Sequence, residues 1–161
     1  MQVREVMTRT PSVCDLDATG NDAARVMWER DCGVVPVVDN AGRPVGVVTD
    51  RDLCMAAYLR GLPLRSIRVA EVMSRDLCTI DSNADLTDAE HLMQSHQVRR
   101  LPVVAGDGRL IGILSLSDIA QGVMRNGSSR QDGRDGIELL CTVDRVSTPR
   151  GRATADGAST R

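Results

Sequence analysis

The chain repeats itself. Residues 2–53 align with residues 68–119 at a constant offset of 66 without a gap, and 17 of the 52 pairs are identical. "VREVMTR" at 3–9 returns as "VAEVMSR" at 69–75, and "VPVVDNAGRPVGVVTDRDL" returns as "LPVVAGDGRLIGILSLSDI". Pro36, Gly42, Gly46 and Asp52 thus correspond to Pro102, Gly108, Gly112 and Asp118. A duplication constrains the fold more than any single element does, because both copies must follow one plan. Each copy is about 60 residues long, a size at which a lone domain buries little surface, so each is expected to complete its core against the other.

Each copy has the same internal order. A "VxEVM" turn leads to an extended piece around Val13 or Thr79. A helix follows, with apolar positions at helical spacing: Ala23, Val26, Met27 and the stem of Arg30 in the first copy, and Leu86, Ala89 and Met93 in the second. Two strands come next, at 34–38 and 45–48 in the first copy, joined by "DNAGR", where Asn40 and Gly42 are expected to supply the turn. Pro36 and Pro102 cannot donate to a ladder, which predicts an edge or a strand start. A second helix begins after Thr49 or Ser115, and in the first copy it should stop near "RGLP", with Gly61 as its cap and Pro63 beyond. The expected unit is β-α-β-β-α and the class is α/β of the α+β type, with copy 1 at 1–62 and copy 2 at 63–125. Residues 126–161, rich in Gly, Ser and mixed charge, read as a mostly disordered tail with a short apolar island at 137–143 that could dock on the body or on a partner.

The core of such a chain must be aliphatic, because there is no Phe and only one Trp and one Tyr, Trp28 and Tyr58. Base-stacking platforms are therefore absent, and a formal charge of −2 offers no basic patch, so nucleic acid is not an expected partner. All 20 basic residues are Arg, which excludes a lysine nucleophile. Five cysteines without a CxxC pair argue for reduced thiols rather than a disulfide framework. The stretch "MQVREVMTRTP" has no apolar signal core, and no run of 18 uncharged apolar residues occurs, so no membrane contact is expected and the protein should be cytoplasmic. The short N-terminus and low-complexity C-terminus suggest a stand-alone chain rather than an enzyme fragment.

Catalytic and metal constellations are weak. His91 and His96 lie five apart, on different faces of a helix. Met7, Met27, Met73 and Met93 recur at the repeat offset as core packing, and Cys32, beside Gly33, reads as an inert packed thiol. No nucleophile has an evident base and no phosphate loop is present, so we expect no enzyme activity and no required metal or cofactor.

Two readings remain open at the strand-to-helix junction. In "TDRD", Thr49 with Asp52 satisfies the capping box, in which the hydroxyl accepts from the amide three residues on and the acid reaches back to the cap amide; Ser115 with Asp118 does the same. The same pair sits where a helix N-terminus opens at a sheet edge, with orphan N–H groups and partial positive charge that suit a phosphate, while the acid could grip ribose hydroxyls.

The patterns "VMT…VPVVDNAGRPVGVVTDRDL" and "VMS…VRRLPVVAGDGRLIGILSLSDI" resemble a tandem pair of CBS domains, a Bateman module, over about residues 1–124. That resemblance implies two units related by a pseudo-twofold axis, homodimerisation, and an adenosyl ligand in clefts between the halves: AMP, ADP, ATP or S-adenosylmethionine. By position it implies that Thr49, Arg51 and Asp52 serve one cleft, and Arg100, Ser115, Ser117 and Asp118 the other. The first copy departs from the pattern, since Val34 stands where Arg100 stands in the second. An Arg–phosphate contact contributes about 1.5–3 kcal/mol, so the Ser115/Asp118 cleft should be the better phosphate site. Val13, Val35, Thr79 and Leu101 are the expected adenine slot. The implied function is a ligand sensor that signals through dimer geometry or a protein partner; the rival is a homodimeric adaptor with unused clefts.

Overall fold

The computed structural model describes residues 1–127. The island at 137–143 and nearly all of the expected tail lie outside the described residues.

A 3-10 turn (Val3–Glu5) and β1 (Thr8–Arg9) lead into the first copy, which forms β2 (Cys14–Asp15), α1 (Gly20–Glu29), β3 (Val34–Val38), β4 (Pro44–Thr49) and α2 (Asp50–Arg60). A 3-10 turn (Leu64–Ser66) and α3 (Val69–Val72) join it to the second copy. That copy forms β5 (Ile80–Asp81), α4 (Leu86–His96), β6 (Arg100–Val104), β7 (Leu110–Ser115) and α5 (Leu116–Gly127). The β-α-β-β-α order is therefore present twice.

The helices begin and end where local chemistry dictates. Thr19 caps α1 by accepting from the Asp22 amide while the Asp22 carboxylate accepts from Thr19, which holds that carboxyl below its usual range. α2 stops at Arg60, and the Gly61 amide donates to the Ala57 carbonyl. In the first hairpin the turn differs from expectation. Asp39, not Asn40, carries it: its Oδ1 accepts from the amides of Ala41 and Arg43, and Gly42 adopts φ 74°.

The strands of the described residues form two sheets, ordered β2-β3-β4 and β1-β7-β6-β5. β3 and β4 are antiparallel with Pro36 opposite Val47, and β6 and β7 repeat this with Pro102 opposite Ile113. The prolines thus lie within strands that have neighbours on both sides, not at an edge or a strand start. They are tolerated because the second neighbour is short: β2 runs parallel to β3 only at Val37 and Val38, and β5 meets β6 only at Val103 and Val104. Beside each proline that side of the strand still has no ladder.

The two halves exchange their leading segments. β1 pairs with β7 of the other copy, Thr8 opposite Ile113. Reciprocally, Ser74 pairs with Val47 of β4, its amide donating to the Val47 carbonyl over 2.8 Å. This contact explains a duplicated glycine and a duplicated methionine together. A Cβ at Gly46 would lie 2.7 Å from Met73 Sδ and 2.7 Å from the Ser74 carbonyl oxygen, and one at Gly112 would lie 2.6 Å from Met7 Sδ.

Each half has its own aliphatic core, and each core includes a residue from the other half's leader. Val69 packs with Val35, Val37, Val48 and Leu53, and Val3 packs with Leu101, Val103, Leu114 and Ile119. Full burial of one such side chain contributes about 1.5–3 kcal/mol. Cys14 belongs to the first core, and burial pushes its thiol up to about 11.

Candidate functional site

Both hydroxyl–acid pairs form as capping boxes. The Thr49 hydroxyl donates to Asp52 Oδ2 over 2.7 Å and accepts from the Asp52 amide, and the same Oδ2 accepts from the Thr49 amide over 2.9 Å. Ser115 and Asp118 reproduce this with distances of 2.7 and 2.8 Å. The bland role of these residues is therefore filled. It uses one carboxylate oxygen, and Oδ1 of Asp52 and of Asp118 accepts no hydrogen bond from the described residues.

What surrounds the two junctions differs. Ser115 and Asp118 line a cavity of about 440 Å³ between the halves, with Thr8, Thr10, Pro11 and Ser12 from the first leader, Arg30 and Cys32 from the end of α1, Val34 from β3, Arg100 from β6 and Ile113 from β7. Both arginines are exposed and have no ion-pair partner among the described residues. Two guanidiniums against one carboxylate leave this wall with a positive excess at the N-terminus of α5, a setting that favours an anion.

A second, smaller cavity of about 190 Å³ shares Val34, Arg100 and Ile113 with the first and is otherwise walled by Pro36, Val47, Thr49, Val98, Arg99 and Pro102. It is an apolar slot with a hydroxyl at one side. Thr49 lines it; Asp52, Arg51 and Ser117 line neither cavity.

The expected adenine slot is displaced by one residue. Val35 and Leu101 are fully buried in the two cores, and the slot is made by their neighbours Val34, Pro36 and Pro102. Successive side chains on a strand face opposite ways, so an error of one position exchanges wall for core. Val13 is partly exposed outside both cavities, and Thr79 lines neither.

Helical spacing places Arg30 on the apolar face of the first helix, but α1 ends at Glu29 and Asp31 turns with φ 48°, which swings the chain so that Arg30 meets the cavity. Thr10 adopts φ 52°, a costly conformation for a β-branched residue, at the cavity edge. No sequence pattern marks it. Cys32, expected as a packed thiol, is half-buried in the cavity wall.

A search of known proteins agrees with this architecture. YhcV of Bacillus subtilis, a CBS domain-containing protein, is 36% identical over 127 residues, covering 79% of this chain and 89% of its own. The crystal structure of CBSX2 in complex with AMP is 29% identical, covers 78% of this chain and 98% of its own, and superposes with a TM-score of 0.69. The crystal structure of Hypoxic Response Protein I with two coordinated zinc ions is 30% identical over 75% of this chain and 98% of its own, with a TM-score of 0.69. Among the described residues of the present chain, no group of three His, Cys, Asp or Glu side chains is arranged to hold a metal ion, and no helix is long and apolar enough to cross a membrane. The CBS domain model matches residues 3–58 and again 69–125, the two duplicated segments. The chain therefore belongs to the CBS-domain family and carries two such domains in tandem.

Proposed function

We propose that this protein is a regulatory module of the cytoplasm, in which copies 1–62 and 63–125 act together, as a homodimer, to bind one adenosine-containing ligand in the cleft of Arg30, Arg100, Ser115 and Asp118. The observation that carries this is the pairing of an apolar slot with a polar, positively biased cavity across one shared wall. The slot suits a planar base, and Pro36 and Pro102 offer it flat apolar surface. The larger cavity suits ribose and phosphate: Asp118 keeps Oδ1 for hydroxyls, and Arg100 and Arg30 are placed for phosphate oxygens. That a relative of similar fold has been crystallised with AMP supports the ligand class. Two arginines favour a nucleotide, AMP, ADP or ATP, over S-adenosylmethionine, whose sulfonium is cationic. Thr49, Arg51, Asp52 and Ser117 are assigned a secondary role, in a weaker second cleft or in none. The chain itself does no chemistry; its output is a change of dimer geometry or of contact with a protein partner, and a ligand drives it only by its difference in affinity for two states.

Thermal unfolding with each of the four ligands tests this reading. At 100 times its dissociation constant a ligand adds about 2.7 kcal/mol, which for a chain of this size raises the melting temperature by about 5–10 °C. Arg100→Ala should remove most of that shift without altering the unliganded melt, because Arg100 makes no ion pair among the described residues. Absence of a shift with all four ligands would sink the reading in favour of the second one, a structural adaptor in which the two hydroxyl–acid pairs only cap α2 and α5. The capping bonds that both pairs already make favour that rival.

A further inference from the structure

The only tryptophan and the only tyrosine of this Phe-free chain are both on its surface, on one helix pair of the first half. Trp28 is 88% exposed at the end of α1 and Tyr58 79% exposed on α2. Leu59, 73% exposed, lies beside Tyr58, and Met55 and Leu62 complete a stripe at spacings of three and four. α2 therefore carries apolar residues on two faces: Leu53 and Ala56 are buried inward, and this stripe points outward. A helix that is apolar all round belongs inside something. Next to the stripe is a groove of about 380 Å³ lined by Ala24, Trp28, Leu53, Cys54, Ala57 and Leu64.

The duplication supplies an internal control. Trp28, Met55 and Leu59 correspond to Gln94, Gln121 and Arg125 in the second half; among the large outward apolar residues of α1 and α2, only Tyr58 keeps an apolar counterpart, Met124. The same fold thus presents an apolar face once and a polar face once. We propose that the first-half face is the contact for a second copy of this chain, first half against first half about a twofold axis, leaving the second-half helices on the outside. A ridge beside a groove on one patch is self-complementary: the Trp28 and Tyr58 ridge of each protomer enters the groove of the other. The two rings alone offer roughly 300–500 Å² per protomer, and the aliphatic stripe adds the rest of the ~800 Å² per partner that a stable interface uses. Trp and Tyr are also the side chains that dominate such contacts.

This inference rests on the dimeric reading above, and the experiment separates the two. Sedimentation velocity on the full chain should give a dimer at micromolar concentration, with Trp28 emission blue-shifted from that of free tryptophan and moving red on dilution. Trp28→Gln/Leu59→Arg, which installs the second half's own residues, should weaken dimerisation at least a hundred-fold with unchanged far-ultraviolet circular dichroism, while Gln121→Arg leaves the dimer intact. In a Cys54→Ser background, Tyr58→Cys should form a disulfide-linked dimer and Gln121→Cys should not; this readout holds even if the double variant fails to fold. A monomeric wild type overturns both this proposal and the dimer reading, and if its Trp28 emission is already blue-shifted, the chain's own 137–143 segment covers the face. A dimer that survives Trp28→Gln/Leu59→Arg, is lost with Gln121→Arg, or cross-links in the Gln121→Cys variant but not in the Tyr58→Cys variant overturns the first-half orientation and leaves the dimer standing.

Discussion

Two strand-to-helix junctions in this molecule are locally the same and globally different. Thr49–Asp52 and Ser115–Asp118 make identical sets of capping bonds, with hydroxyl–carboxylate distances of 2.7 Å in each. Yet of the two acids only Asp118 lines the cavity between the halves, because that junction is opposed by the first leader, by Arg30 and by Arg100. Around Thr49 the equivalent of Arg100 is Val34, and the wall is apolar. A motif of four residues therefore builds a helix start wherever it occurs; a binding site needs what the other half brings to it.

The comparison can be broken at several levels. The largest expected effect is on the cores that carry the junctions. Leu101→Ala should cost about 2–5 kcal/mol in urea unfolding, and Val35→Ala somewhat less, with the liganded and unliganded proteins losing equal amounts; a selective loss of nucleotide affinity would return these residues to the slot. Next, Arg100→Ala should weaken nucleotide binding by about ten- to a hundred-fold, corresponding to 1.5–3 kcal/mol, and Val34→Arg should raise the affinity of the Thr49 side, both by isothermal calorimetry. Smaller still, Thr49→Ala and Ser115→Ala should each cost about 1 kcal/mol of stability as lost caps, but only Ser115→Ala should also reduce binding. Equal effects on binding would erase the distinction between the junctions. Finally, iodoacetamide at pH 8 should label exposed Cys54 and leave Cys14 untouched, because the thiolate is the reactive form and burial has pushed the Cys14 thiol up to about 11; mass spectrometry reads this directly, and labelling of Cys14 should begin only as the pH approaches that value.

The repeat makes the element order legible, since turn residues, caps and apolar stripes agree in both copies. It does not reveal which face of each strand meets the cavity. The runs Val34–Val35 and Val37–Val38 have no polar alternation, so nothing in them distinguishes wall from core, and the slot lies one residue away from the expected positions. Arg30 fits the helical spacing, but the helix ends before it. The positive φ of Asp31 redirects the chain there, as that of Gln97 does at the equivalent place, and neither residue is one whose type announces it. The crossing of the leaders is invisible for a different reason: pairing of Thr8 with Ile113 is a long-range fact that no local pattern encodes. Only Gly46 and Gly112, repeated without a turn to justify them, hint that something comes close.

The crossing of the leaders has a consequence for what could exist without the duplication. A chain with a single copy would own one ribbon and one glycine notch but could not bring them together within itself, and would have to lend its ribbon to a neighbour and borrow one in return. Tandem linkage turns that trade between molecules into a bond within one, so its completion no longer depends on protein concentration.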